Sequence, residues 1–211
     1  MMLTAIIGTG TWGTAMAATL ARAGQPALLL GRDPAKVEAL TRTRRHPQHP
    51  EHELPGGFTI TADPCSLGVA GLVLWAVPTP FSAREASRLA AHLPATVPIM
   101  SLAKGLEQGS LRRVSEVLSA ALPGRAVGVL SGPCIAQEVL SGLPTCLVAA
   151  GPEAAVAAYD GDALARHLRT VGSVRGRIGA PGELDRPRAL DAARAVPRWE
   201  DQDFVGEVSP V

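Results

Sequence analysis

The chain has 211 residues, 46% of them hydrophobic and 18% charged, which suits one good-sized globular core. A net charge of +1 supplies no field for nucleic acid or an anionic membrane surface, and no apolar run is long enough to span a membrane. The three cysteines, Cys65, Cys134 and Cys146, have neither disulfide nor metal-ligand spacing. The start of the chain lacks a basic flank and a cleavage site, so a reducing, cytoplasmic setting is expected.

A short apolar run from Leu3 ends in Gly8-x-Gly10-x-x-Gly13, and a helical pattern follows over residues 14–23. Each glycine has a physical use. Gly8 permits a tight turn off the strand, Gly10 lets the backbone approach a pyrophosphate, and Gly13 lets helix and strand pack closely. The helix N-terminus then offers unpaired N–H groups to an anion. A glycine-rich turn without a ligand is the plain alternative, but a strand before it and a helix after it are the context that dinucleotide binding requires.

Residues 27–30 read as a second buried strand, closed by Gly31-Arg32-Asp33-Pro34, and residues 34–43 as a short amphipathic helix. Residues 42–57, rich in arginine, histidine and proline without periodicity, read as a loop. Strands are expected at 58–60, 72–77, 97–102, 126–130 and 145–150, with a helical turn from Asp63 and helices at 81–93, 110–122 and 133–140. Alternating strands and helices with short connections predict an α/β fold, a doubly wound, mainly parallel Rossmann-type sheet. From residue 159 onward charge is denser, glycines and Pro181 interrupt, and no strand or long amphipathic helix stands out.

Several residues are candidates for chemistry. Arg32 stands at the end of the second strand, where an acidic residue would suit the ribose of NAD and a guanidinium suits the 2′-phosphate of NADP. Asp33 beside it is a helix cap or a ribose contact. Lys104, one of only two lysines, follows a strand at the carboxyl edge of the sheet, where it can hold an anionic substrate. The run Ser131-Gly132-Pro133-Cys134-Ile135-Ala136 repeats strand, turn and helix start, a second place for a phosphate or a nicotinamide carboxamide. Cys134 has no partnered histidine and reads as a small buried thiol. His46, His49 and His52 invite a metal reading, but Pro47 and Pro50 interrupt them and no cysteine or carboxylate constellation joins them, so no metal is expected.

The series Gly8-Thr-Gly-Thr-Trp-Gly-Thr-Ala15, Leu30-Gly-Arg-Asp33, Thr61-Ala-Asp63, Ala76-Val-Pro-Thr79, Ala103-Lys-Gly-Leu-Glu107, Leu130-Ser-Gly-Pro-Cys-Ile-Ala-Gln-Glu-Val139 and Gly142-Leu-Pro-Thr145 resembles the bacterial NAD(P)-dependent glycerol-3-phosphate dehydrogenases. The resemblance covers residues 1–158 and implies an NAD(P)-binding Rossmann domain there. It implies hydride transfer between NAD(P)H and dihydroxyacetone phosphate, giving sn-glycerol 3-phosphate for phospholipid synthesis. Matched motif by motif, Gly8, Gly10, Thr11, Trp12, Gly13, Arg32, His49, Lys104 and Ala136 would contact NAD or NADP. Lys104, Gly132 and Cys134 would contact the small-molecule substrate. His49 takes the place of the family's aromatic residue, and Cys134 that of its usual Ser or Thr.

The family continues into a helical substrate domain whose Gly-x-x-Lys-Asn motif supplies the catalytic lysine. This chain has no lysine after Lys104 and no Lys-Asn pair. Residues 159–211 are therefore expected to be an atypical tail in place of that domain, an out-of-frame or degraded end. The expected outcome is a truncated family member without a catalytic lysine and with little turnover. A non-catalytic dinucleotide-binding module is the first alternative, and another Rossmann oxidoreductase, acting on a ketopantoate-like substrate, the second.

Overall fold

The structure, a computed structural model, describes residues 2–132, 134–143, 145, 147–160 and 170–175. Pro133, Pro144, Cys146 and most of the expected tail lie outside the described residues. Strands β1 (Thr4–Ile7), β2 (Ala27–Leu30) and β6 (Leu72–Trp75) are buried at every residue, which explains their uninterrupted apolar sequences. Alternation along each strand sends successive side chains to opposite faces. Ile6, Leu29 and Leu74 pack under helix α1 (Thr11–Arg22), whereas Ile7, Leu30 and Trp75 join Leu89 and Leu118 on the other face. Those two leucines come from α3 (Thr79–Leu89) and α4 (Val114–Ala121). The Trp75 indole N–H donates to Ser82 Oγ at 3.0 Å, so the largest buried side chain carries no unpaired polar group.

Among the described residues the main sheet has eight strands in the order β10-β9-β8-β7-β6-β1-β2-β5. The additional members are β5 (Phe58–Thr61), β7 (Ile99–Ser101), β8 (Val127–Ser131), β9 (Leu147–Gly151) and β10 (Thr170–Arg175). The chain winds outward from β1 through β2 to β5, then returns to β6 on the other side of β1. The resulting switch point lies between the carboxyl ends of β1 and β6, where open α/β sheets hold ligands. Helices α2 (Pro34–Thr43), α5 (Ala136–Leu140) and α6 (Glu153–Asp160) complete the cover, and α6 buries Tyr159 in the α1 side of the core.

The fold is the expected doubly wound sheet, with five local corrections. Helix α1 begins at Thr11 rather than residue 14, because Gly10, in an extended conformation, serves as its cap. Residues 42–57 are not all loop: β3 (Arg45–His46) and β4 (His49–Glu53) form an antiparallel hairpin turning at Pro47 and Gln48. An isolated two-stranded ribbon tolerates Pro50 on a strand, and the Arg45 guanidinium ties the strands by donating to the Pro50 carbonyl at 2.7 Å and Glu53 at 2.9 Å. Helix α4 starts at Val114 rather than residue 110, after a turn with positive φ at Gly109 and Leu111. Strand β9 runs antiparallel to β8. Finally, β10 pairs in parallel with β9, a strand in a stretch where the sequence pattern showed none.

Candidate functional site

The glycine loop is built by packing as much as by turning. Gly8 has φ +115°, and a Cβ there would stand 2.7 Å from the Ala76 carbonyl oxygen. A Cβ on Gly13 would overlap the Gly8 carbonyl oxygen, so this glycine lets α1 sit directly on the loop. Gly10 is different: a Cβ there would meet nothing within 4 Å. The fold does not need Gly10 to be bare, whereas a ligand lying against the loop does. Above that space the first turn of α1 has no side-chain cap and no acidic residue. Its unpaired N–H groups and the positive end of the helix dipole suit a pyrophosphate. The residues present therefore fit a dinucleotide.

At the end of β2, Arg32 is exposed, and Asp33 takes the capping alternative. Asp33 Oδ1 accepts from the N–H groups of Ala35 and Lys36 at 3.0 and 3.3 Å. His49 lies on β4 with Nδ1 at 3.3 Å from Glu51 Oε1. A cavity of about 730 Å³ opens between the glycine loop, α2 and the hairpin, lined by Thr9, Gly10, Lys36, His46, Gln48 and Pro50 among others. His46 and Gln48 were not candidates for the cofactor site on sequence. The Thr11 hydroxyl donates to Gln48 Oε1 at 2.7 Å, a contact across 37 residues that no local pattern announces.

Across the switch point, Trp12, Lys104, Cys134 and Ala136 come together with Ala76, Val77 and Pro78 around a cleft of about 250 Å³. Lys104 also faces a second cavity, of about 410 Å³, with Gly132, Ser131 and Arg113. The Lys104 backbone is held by Thr79, whose hydroxyl donates to the Lys104 carbonyl at 2.7 Å, so the ends of β6 and β7 are tied together. The Lys104 ammonium donates to the Cys134 carbonyl at 3.4 Å, a long contact that leaves it able to meet an anion. Cys134 is buried and its thiol donates to the Gly132 carbonyl at 3.4 Å. Burial pushes the thiol pKa up, against the opposite pull of Lys104, so the group stays a thiol and not a nucleophile. The expected second helix start is corrected here: α5 begins at Ala136, behind Ile135, and runs only five residues.

Comparisons with known proteins bear on the same residues. Residues 4–157 match the model of the NAD-dependent glycerol-3-phosphate dehydrogenase N-terminus. A glycerol-3-phosphate dehydrogenase [NAD(P)+] of Azorhizobium caulinodans is 39% identical over 153 residues, covering 72% of this chain and 47% of that protein. One from Xanthomonas campestris is 39% identical over 163 residues, covering 76% and 48%. The crystal structure of glycerol-3-phosphate dehydrogenase from Coxiella burnetii superposes with a TM-score of 0.72 at 28% identity, over 83% of this chain and 54% of that one. The chain spans about half the length of the curated relatives it matches. The aligned half holds the glycine loop, Arg32, Lys104 and the Ser131–Val139 run, and the chain belongs to the NAD-dependent glycerol-3-phosphate dehydrogenase family, in the part that corresponds to its N-terminus.

Proposed function

We propose that the chain holds NAD or NADP across the carboxyl ends of β1 and β6 and takes part in the interconversion of dihydroxyacetone phosphate and sn-glycerol 3-phosphate for phospholipid synthesis. One observation carries this reading: the uncapped start of α1 has open space over Gly10, and its Trp12 lines the same crevice as Lys104. The N–H groups of Thr11, Trp12 and Gly13 bind the pyrophosphate, Arg32 the adenosine ribose end, and Trp12 and Ala136 flank the nicotinamide. His49 stands beside the cofactor on the hairpin. Lys104 holds the substrate's phosphate charge, with Gly132 and Cys134 supplying the loop around it. The nicotinamide, when bound, supplies the hydride. The free thiols of Cys65 and Cys134 and the near-neutral charge suit the cytoplasm. Among the described residues no helix is long and apolar enough to cross a membrane.

A second reading, a dinucleotide-binding module without turnover, is favoured by one fact. Lys36 and Lys104 are the only lysines, the chain has no Gly-x-x-Lys-Asn motif, and a ketone that accepts hydride also needs a proton. Titration of NADH and NADPH alongside dihydroxyacetone phosphate turnover separates the two. Saturable binding with turnover supports the enzyme, binding alone supports the module, and no binding of either cofactor overturns both.

A further inference from the structure

The three hairpin histidines are not alike. His46, His49 and His52 form a ladder with ring centres 6.3 and 6.4 Å apart, and among the described residues no set of side chains gathers that could hold a metal. His49 and His52 face Glu51 at 3.3 and 3.5 Å. His46 instead turns inward and is only 6% exposed. Its Nδ1 accepts the Gln48 N–H at 3.2 Å, and it lines one cavity with Thr9 of the glycine loop. Gln48 in turn takes the Thr11 hydroxyl. Gln48 therefore holds Thr11, next to the bare Gly10, while His46 fixes the Gln48 backbone, and both line the same cavity as Thr9 and Gly10.

We propose that neutral His46 is a positioning residue that fastens the β3–β4 hairpin to the glycine loop, and that its protonation releases the loop and weakens dinucleotide binding. The proposal rests on the dinucleotide reading above. With Nδ1 as acceptor, the neutral ring carries its proton on Nε2. A second proton would sit on Nδ1, pointing at the Gln48 N–H, so two donors would face each other and the turn would have to open. Opening moves Gln48, and with it the contact to Thr11.

The surroundings favour the neutral form. Arg45 and His49 on the hairpin and Lys36 on α2 carry or can take positive charge, and residues 8–13 of the glycine loop hold no ionisable side chain. Burial, opposed by the nearby Thr9 backbone and aided by His49, holds the His46 pKa below the usual histidine value. A depressed histidine pKa means that the neutral clamp is fully present above the ordinary value and is lost as pH falls through the lowered one.

The test is NADH titration by fluorescence from pH 8 to pH 5, on the full chain and on its His46→Asn and His52→Gln variants. Asparagine keeps an acceptor for an N–H two residues on but cannot titrate. The full chain is expected to lose about tenfold in NADH affinity on the acid side, His52→Gln to follow it, and His46→Asn to stay flat. A flat wild-type profile, or a wild-type slope in His46→Asn, overturns the proposal. Should the variant not fold, the amide resonances of Thr9, Gly10 and Thr11 in the wild type decide: they must share a titration midpoint with the His46 ring, and separate midpoints overturn the proposal. Binding that ignores pH removes this proposal alone, whereas no NADH binding at any pH removes the dinucleotide reading as well.

Discussion

Two helix starts face the crevice, and they are made differently. Helix α1 runs 12 residues from a loop in which Gly8 and Gly13 are pressed against Ala76 and against each other. Helix α5 runs five residues behind the exposed Ile135, and its far end is held from outside: Arg22, at the end of α1, donates to the Val139 and Leu140 carbonyls at 3.2 and 2.6 Å. The first start is fixed by backbone packing and has a full helix dipole behind it. The second takes its place from its neighbours. The backbone at the start of α1 is thus set up in advance to suit an anion, whereas the end of the crevice proposed for the substrate depends on loop residues around Lys104 and Cys134.

The largest expected effect breaks the first start. Gly13→Ala puts a Cβ into the Gly8 carbonyl oxygen, where backbone meets backbone and neither can give. We expect a loss of about 3 kcal/mol or more, read as a fall of roughly 10 °C in melting temperature. A variant melting with the wild type would show that the loop is not packed as described.

Arg22→Met attacks the second start. Two charge-assisted bonds to the carboxyl end of α5 are lost, at about 2 kcal/mol. Amide hydrogen exchange should quicken in residues 136–140 and not in residues 11–20. Equal loosening of both helices would erase the contrast between them.

Gly10→Ala sharpens the comparison without damaging the fold. The backbone there has φ −73° and the added methyl meets nothing, so the melting temperature should hold. The methyl does occupy the ligand's space, and the NADH Kd should rise about tenfold, near 1.4 kcal/mol. An unchanged Kd would mean that nothing lies against Gly10.

The smallest effect comes from α4, which has the carboxylate that α1 lacks. Glu116 accepts from the Arg113 backbone N–H and from its guanidinium, each at 2.8 Å, and the Arg113 contacts pull its pKa down to about 2. A depressed carboxylate stabilises above its ordinary pKa and stops doing so as pH falls through the lowered value. The small melting difference between wild type and Glu116→Gln at pH 7 should shrink with acid and vanish near pH 2. A difference that persists there would assign it to packing.

The legible parts of the sequence were those where one local cause decides the structure. Strands β1, β2 and β6 are buried on both faces, so their apolar runs could be read directly. Gly8 and Gly13 stand where only glycine fits, so the loop declared itself. Lys104 stood out because lysine is rare in this chain and it follows a buried strand. What stayed hidden depends on partners far along the chain. The hairpin of Arg45–His46 with His49–Glu53 has no alternating apolar pattern, because it is held by Arg45 and by contacts to the glycine loop. Helix α5 starts late, and Arg22, its anchor, lies 117 residues away from Val139.

We propose that the start of α1 is a preformed dinucleotide site. The most direct measurement follows backbone amide resonances as NADH is added to the chain. Saturable shifts are expected to concentrate at Gly10, Thr11, Trp12 and Gly13, with a second group at Lys104 and Ala136. Saturable shifts that spare residues 10–13, or no shifts at all, would contradict it.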